Sequence, residues 1–302
     1  MRKQLCDAMV ARSAKSGMVF LTGDLGFMAL EPLQAAMGER FINAGVAEQN
    51  MVSVAAALAR QELEVWVYSI APFLYARPFE QIRNDIAFHN LPVKLIGNGG
   101  GYGYGVMGPT HHAIEDYGVM LTLPNMVVYA PVFDTDMAAV IARAGQATQP
   151  CYIRMGRGEQ PEGYAVPAYA PWRQLTEGQG GLVLAVGPLA STYIGPFNQL
   201  PLERRPVLWA VAEFPIIDSP MPAELVAQLR TATTVCVAEE HVQRGGFGSE
   251  LLLYLASQQI PVRSFKHCYA RAHHFERYGS QNFLRRQSQL DAGSVLAVLE
   301  NP

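Results

Sequence analysis

Short apolar runs alternate with segments of helical periodicity through the first half of the chain. Runs of four or five apolar residues, each followed by a turn or a polar loop, predict strands at 18–22, 65–68, 93–97 and 126–130. Apolar residues at helical spacing predict helices at 79–89 and 135–147. Leu5 and Met9, four residues apart, predict an amphipathic helix near residue 1. This alternation is typical of a parallel sheet covered by helices on both faces, which is an α/β fold.

The same alternation resumes after an interruption rich in Gly, Pro, Tyr and Gln at about 158–180. Apolar runs predict further strands at 181–187, 206–211, 234–241 and 261–265. An apolar helix is predicted between the last two, at 249–257. We therefore predict two consecutive three-layer α/β domains with mostly parallel sheets, at 1–165 and 181–302, joined by a linker at 166–180.

Composition agrees with this organisation and excludes several classes of function. Half of the 302 residues are hydrophobic and 16% are charged, as in a globular protein with substantial cores. A net charge of −3 argues against a nucleic-acid or anionic-membrane surface. The four cysteines are widely spaced, which predicts reduced buried thiols and no metal site of their own. No targeting segment is evident, so we expect a cytoplasmic protein.

The most informative segment is 43–51, which places Glu48 between a short predicted strand and an apolar helix. A carboxylate at a helix start is favourable for the helix dipole alone. However, the helix at 51–59 is too apolar for a solvated surface helix, so we expect Glu48 to face an enclosed site suited to proton transfer.

The sequence Gly45-Val46-Ala47-Glu48-Gln49 resembles a motif of the transketolase family, which includes deoxyxylulose-phosphate synthases and split, two-subunit transketolases. The resemblance implies that Glu48 hydrogen-bonds N1′ of the aminopyrimidine of thiamine diphosphate and promotes the cofactor's own proton transfer.

The loop at 69–77 resembles the family segment that packs an aromatic ring on the cofactor's pyrimidine. Phe73 matches best and Tyr75 second, although an ordinary core aromatic remains an alternative for either. Arg77 is within reach of Glu80 or Asp85 along the predicted helix, and we assign it no chemistry. Asp24 matches a family aspartate near the thiazolium ring, with a turn or capping role as the alternative.

A glycine-rich loop at 97–105 lacks the following helix of a dinucleotide site and the Gly-Lys-Ser/Thr of a phosphate-binding loop. The next residues, Pro109-Thr110-His111-His112, resemble the family's Thr-His element. This resemblance implies that His111 is catalytic and hydrogen-bonds an oxygen of the donor substrate. Met107 stands where the family has an aspartate that contacts the acceptor, which suggests an acceptor such as a deoxy or otherwise modified sugar.

The stretch at 152–158 resembles a family segment whose arginine holds the sugar phosphate. Arg154 and Arg157 are both candidates because arginine suits bidentate phosphate recognition. An interdomain salt bridge is the alternative for either residue. Glu239, Glu240 and the glycines at 245–248 resemble a segment of the family's C-terminal domain whose usual role is structural.

The metal-binding sequence of the family, Gly-Asp-Gly with a later asparagine, does not occur in this sequence. The resemblance therefore implies that Mg²⁺ and the diphosphate are held on a separate N-terminal subunit, in an α2β2 assembly. We predict a transketolase C-terminal subunit that helps to move a two-carbon ketol unit from a ketose phosphate to an aldehyde. The β subunit of a 2-oxoacid dehydrogenase and a deoxyxylulose-phosphate-synthase-like decarboxylating enzyme are the alternatives.

Overall fold

The computed structural model describes residues 1–300. Within that range the strands are β1 (Met18–Thr22), β2 (Phe41–Asn43), β3 (Glu64–Ile70), β4 (Lys94–Asn98), β5 (Val127–Tyr129), β6 (Cys151–Met155), β7 (Trp172–Thr176), β8 (Leu182–Val186), β9 (Val207–Val211), β10 (Glu213–Phe214), β11 (Val235–Glu239) and β12 (Phe265–Tyr269). The α-helices described there are α1 (Arg2–Arg12), α2 (Glu31–Met37), α3 (Glu48–Ala59), α4 (Ala71–Tyr75), α5 (Phe79–Gln81), α6 (Asp116–Met120), α7 (Met137–Gln146), α8 (Pro188–Asn198), α9 (Ala223–Thr231), α10 (Phe247–Ser257), α11 (Gln281–Gln287) and α12 (Ala292–Glu300).

The strands form two sheets. The first has seven strands in the order β10-β5-β6-β4-β3-β1-β2, and all are parallel except β10, which is antiparallel to β5. The second has five strands in the order β12-β11-β8-β9-β7, with only β7 antiparallel to its neighbour. Helices cover both faces, because the central strands are apolar on each side. The α/β prediction is confirmed.

The two sheets share part of their core. One hydrophobic cluster contains buried residues from both, including Val67 and Leu95 of the first sheet and Val211 and Val237 of the second. Strand β10 follows β9 directly in the chain, yet it pairs with β5 of the first sheet. The second half of the chain therefore completes the first sheet, and the division into domains at 165 and 181 stays a prediction.

Three sequence predictions need correction in position. The segment predicted as a linker contains β7, an edge strand of the second sheet. The strand predicted at 261–265 instead lies at Phe265–Tyr269, because Pro261 has no N–H to donate to a ladder. The helix predicted at 79–89 is a short α-helix followed by a π-helical segment, Ile82–Ala87. Between residues 1 and 300, no helix has both the length and the apolar character needed to cross a lipid bilayer.

Candidate active site

Glu48 is the first residue of α3 and its side chain is only 5% exposed. The chain turns into this helix at Gly45, whose φ of 72° suits glycine, and Asn43 Oδ1 accepts a hydrogen bond from the Gly45 N–H at 2.8 Å. Asn43 Nδ2 in turn donates to Asp24 Oδ1 at 3.1 Å. The exposed Asp24 thus braces the turn that carries Glu48.

Arg77 connects Glu48 to the aromatic loop. Its Nη1 donates to Glu48 Oε2 at 3.0 Å, and its Cζ lies 4.0 Å from the centre of the Phe73 ring. Phe73 also contacts His111 edge-on, with 5.1 Å between the ring centres. The structure therefore brings Glu48, Phe73 and His111 into one cluster. A cavity of about 510 Å³, lined by 46–50 and Arg77, opens beside it.

The pairing of Arg77 with Glu48 was not foreseen from the sequence. The sequence places Arg77 within reach of Glu80 or Asp85 along the predicted helix. Instead α4 ends at Tyr75 and α5 begins at Phe79, so the helical spacing that would bring those side chains together is broken at this point. Asp85 accepts a hydrogen bond from Ser53 Oγ at 2.9 Å. Pro78, which follows Arg77 directly, is the sequence signal for this break.

His111 lies at the end of a 3-10 turn, Pro109–His111, with its Nδ1 3.0 Å from Thr110 Oγ1. Partial burial lowers the pKa of His111, and the positive charge of Arg77 lowers it further. The imidazole is therefore neutral at pH 7, which leaves one ring nitrogen as donor and the other as acceptor.

Tyr75, the second aromatic candidate, lies elsewhere. Its hydroxyl donates to Glu115 Oε2 at 3.0 Å, and Glu115 Oε1 is 2.6 Å from Nε2 of His273 in the C-terminal half of the chain. Burial raises the pKa of Tyr75, so the hydroxyl stays protonated. These contacts tie Tyr75 to the packing between the two halves, whereas Phe73 packs against the guanidinium that pairs with Glu48.

The two arginine candidates differ sharply in environment. Arg154 is 3% exposed, and its Nε donates to both oxygens of Asp116 at 2.8 and 3.0 Å. Its Nη2 donates to the carbonyl oxygens of Ala113 and Glu240 at 3.1 and 2.7 Å. Arg157 is exposed. The salt bridge of Arg154 therefore lies within the first half of the chain, and its bond to the Glu240 carbonyl oxygen reaches the second half. The exposed Arg157 is the one available to an anion.

A cavity of about 730 Å³ lies beyond the carboxyl ends of β4 and β6, the expected place for a ligand in a parallel sheet. Arg157, Arg2 and Asn98 contribute polar groups to its wall, and Met107 and Tyr104 contribute apolar surface. Tyr104 also approaches His111, with 6.3 Å between ring centres. Met107 and Arg157 therefore line one cavity, and Tyr104 in its wall approaches His111 of the cluster.

The cluster has the groups needed to hold an aminopyrimidine. It offers a buried carboxylate to accept a hydrogen bond, an aromatic ring for stacking and an adjoining cavity. Within residues 1–300, no group of three or more His, Cys, Asp or Glu side chains is arranged to hold a metal ion.

Comparisons with known proteins identify relatives of this chain. The family "Transketolase, pyrimidine binding domain" matches residues 10–162, just over half of the chain. One of the subunits of the apulose-4-phosphate transketolase of Phocaeicola vulgatus is 28% identical over 269 residues, covering 87% of this chain and 85% of that relative. The 1-deoxy-D-xylulose-5-phosphate synthase of Syntrophotalea carbinolica is 31% identical over 268 residues, but the match covers only 41% of that enzyme.

Solved structures give the same result. A split-gene transketolase, described as an inactive β4 tetramer, superposes with a TM-score of 0.83 at 28% identity, covering 99% of this chain and 96% of that chain. The transketolase of Leishmania mexicana shares the fold, with a TM-score of 0.79 at 17% identity over 45% of its own chain. The match extends over nearly the full length of split-enzyme subunits and under half of single-chain enzymes. These findings confirm the prediction of a C-terminal, transketolase-type subunit. The chain belongs to the transketolase family.

Proposed function

We propose that this chain provides the pyrimidine-binding half of a thiamine-diphosphate-dependent transketolase active site. The observation that carries the proposal is the cluster of Glu48, Phe73 and His111, which brings together a carboxylate, an aromatic ring and an imidazole from three separate helical elements around Arg77. The bound cofactor would supply the carbon nucleophile for transfer of a two-carbon ketol unit from a ketose phosphate to an aldehyde. Glu48 would hold a proton at the pyrimidine nitrogen, and Phe73 would fix the ring plane.

In this proposal the substrates bind between the cluster and the larger cavity. His111, neutral at pH 7, hydrogen-bonds a donor oxygen, and Arg157 at the cavity wall binds the phosphate. Met107, 57% exposed, contacts the acceptor where an aspartate would otherwise bind a hydroxyl. Since a thioether is a weak acceptor, we propose an acceptor that lacks that hydroxyl or has it modified. If Met107→Asp leaves the acceptor preference unchanged, this assignment is wrong.

The proposal requires a second subunit. An N-terminal partner would bind Mg²⁺ and the diphosphate, in an α2β2 assembly with the cofactor between unlike chains. The four buried cysteines suit a reducing, cytoplasmic setting for this assembly. Glu48 lies beside a cavity that is open at the surface, as expected for a site completed by another chain. Asp24, which braces the loop of Glu48, would lie at the thiazolium side.

The test is turnover by the complex that this chain forms with its partner in the native cell. Glu48→Gln keeps the shape of the side chain and removes its charge, so we expect the complex to assemble while turnover falls by at least about a hundredfold. Glu80→Gln is the matched control, because Glu80 is exposed and close in sequence to Arg77. Near-normal turnover by the Glu48 variant would refute the catalytic assignment.

The identity of the donor substrate distinguishes a transketolase from the two alternative enzymes. A transketolase uses a ketose phosphate and releases no CO₂, whereas a deoxyxylulose-phosphate-synthase-like enzyme and a 2-oxoacid dehydrogenase both decarboxylate a 2-oxoacid such as pyruvate. CO₂ release from pyruvate by the purified complex, without turnover of ketose phosphates, would replace our proposal with one of those two. A co-purifying acyltransferase would single out the dehydrogenase.

A further inference from the structure

Arg77 contacts both Glu48 and Phe73, the two residues that bind the cofactor's aminopyrimidine in the proposed function. Its planar guanidinium donates to Glu48 Oε2 at 3.0 Å and stacks over Phe73, with Cζ 4.0 Å from the ring centre. An aminopyrimidine bound by the same residues would form a hydrogen bond to that carboxylate and stack on that ring. Both groups are flat, carry N–H donors at the edge and have a face that packs on aromatic rings.

We propose that Arg77 is a placeholder for the cofactor's aminopyrimidine, which must displace the guanidinium from Glu48 and Phe73 in order to bind. This inference rests on the proposed function of Glu48 and Phe73. No transketolase-like step is assigned to Arg77 itself. Its role is to set how tightly the site takes up the cofactor.

Burial of Glu48 explains why a placeholder is useful. The carboxylate is 5% exposed, and a charge that is so far removed from water is costly without a partner. Before the cofactor and the partner subunit arrive, Arg77 is the cation that pairs with Glu48. The pair keeps the motif loop folded around a charged carboxylate in the free subunit.

The surroundings of Arg77 allow it to leave. Its side chain is 46% exposed, in contrast to that of its partner. Its backbone lies between the end of α4 at Tyr75 and the start of α5 at Phe79, outside regular helix. The cavity of about 510 Å³ beside Glu48 gives the displaced side chain a route to solvent.

The expected effect follows from the two contacts that are lost. A half-exposed ion pair and an exposed cation–π contact are each weak, so displacing Arg77 should weaken cofactor binding by about three- to thirtyfold in total. Arg77→Met removes both contacts and should tighten the binding of thiamine diphosphate by that factor. Arg77→Lys keeps the charge without the planar stack and should give a smaller increase in affinity.

The test is calorimetric titration of thiamine diphosphate, with Mg²⁺ present, into the complex of this chain with its partner. Arg83→Met is the matched control, because Arg83 is an exposed arginine six residues further along the chain, and its affinity should stay within about twofold of the wild type. Thermal unfolding of the free subunit provides a second readout, in which Arg77→Met should lower the melting temperature because Glu48 is left unpaired. If Arg77→Met fails to assemble, Arg77→Lys decides the question by the sign of its change in affinity.

Unchanged or weaker binding by the Arg77 variants, with the wild type binding normally, would overturn the placeholder. An equal gain in affinity for Arg83→Met would also overturn it, since it would reveal a general effect of charge. Absence of binding by every protein, including the wild type, would instead refute the proposed function on which the inference depends.

Discussion

Arg154 lies on β6, where its guanidinium joins parts of the chain that are far apart in sequence. It donates hydrogen bonds to Asp116 and to the carbonyl oxygens of Ala113 and Glu240. It also lies over the Tyr117 ring, with Cζ 5.0 Å from the ring centre. Asp116 is 0% exposed. Methionine at position 154 would fill most of the space but would leave Asp116 with one hydroxyl donor, Tyr152 at 3.0 Å.

We expect Arg154→Met to lower the free energy of unfolding by about 3–5 kcal/mol, the usual cost of removing one partner of a buried ion pair. For a chain of 302 residues, with an unfolding entropy of about 2.1 cal/mol/K per residue, the loss corresponds to a fall in melting temperature of about 5–8 °C. Urea unfolding of the isolated chain measures the free energy. Arg157→Met is the matched control, and its exposed position predicts a change within about 0.5 kcal/mol.

A double variant separates the ion pair from simple loss of volume. Asp116→Asn alone should also destabilise the chain, because it weakens the bonds to Arg154. Arg154→Met combined with Asp116→Asn should cost less than the sum of the two single changes, since the double variant leaves no unpaired buried charge. A loss below about 1 kcal/mol for Arg154→Met, or strictly additive effects, would refute the reasoning.

Two further predictions concern backbone conformation and pH. Gly101 has a φ of 64°, and a Cβ there would lie 2.7 Å from Glu240 Cβ, so Gly101→Ala should lower the free energy of unfolding by about 2–5 kcal/mol. Gly163 has a φ of 71° but open space around it, so Gly163→Ala should lower it by only about 1–2 kcal/mol. Urea unfolding of the two variants measures both changes. Burial raises the pKa of Glu64, but hydrogen bonds led by Arg12 outweigh it and lower the pKa from 4.5 to about 2. Stability should therefore fall as pH drops from about 4.5 towards 2, and Glu64→Gln should flatten that limb in denaturant midpoints measured against pH.

The fold could largely be predicted because its signals are local. Each apolar run of the central strands specifies a strand by itself, and β1, β8 and β9 appear where the runs predict them. The edge strands β10 and β12 are harder to predict from the sequence, because β10 has two residues and β12 has adjacent polar residues, Lys266 and His267. Both are fixed by neighbours distant in sequence. The pairing of β10 with β5 depends on tertiary structure, which the pattern of apolar residues along the chain does not predict.

The site residues also differ in whether short sequence motifs can identify them. Glu48, Phe73 and His111 could be named from short motifs, and the structure places them in one cluster. Arg77 could not, because its partner is 29 residues away and lies on another element. Arg154 and Arg157 are equivalent in the sequence pattern, and only burial distinguishes the structural arginine from the one that remains available for an anion.

These long-range bonds imply that the first half of the chain depends on the second. A fragment of residues 1–165 would lose β10, whose strand pairs with β5, and the stacking of Phe214 on Tyr117 at 5.3 Å between ring centres. It would also lose His273, one of the two partners of Glu115, and the carbonyl oxygen of Glu240, which accepts a hydrogen bond from Arg154.

We therefore expect residues 1–165 alone to keep much of their helical circular dichroism without a cooperative unfolding transition. Co-expression with 166–302 should restore that transition, because the missing strand and the buried bonds return without a covalent link. The 181–302 fragment is the informative comparison, since it lacks β7 as well as every strand of the first sheet except β10. A fragment of 1–165 that unfolds cooperatively at the melting temperature of the whole chain would show that the interface adds no stability. In that case Glu115 and Arg154 would have to be satisfied within the first domain.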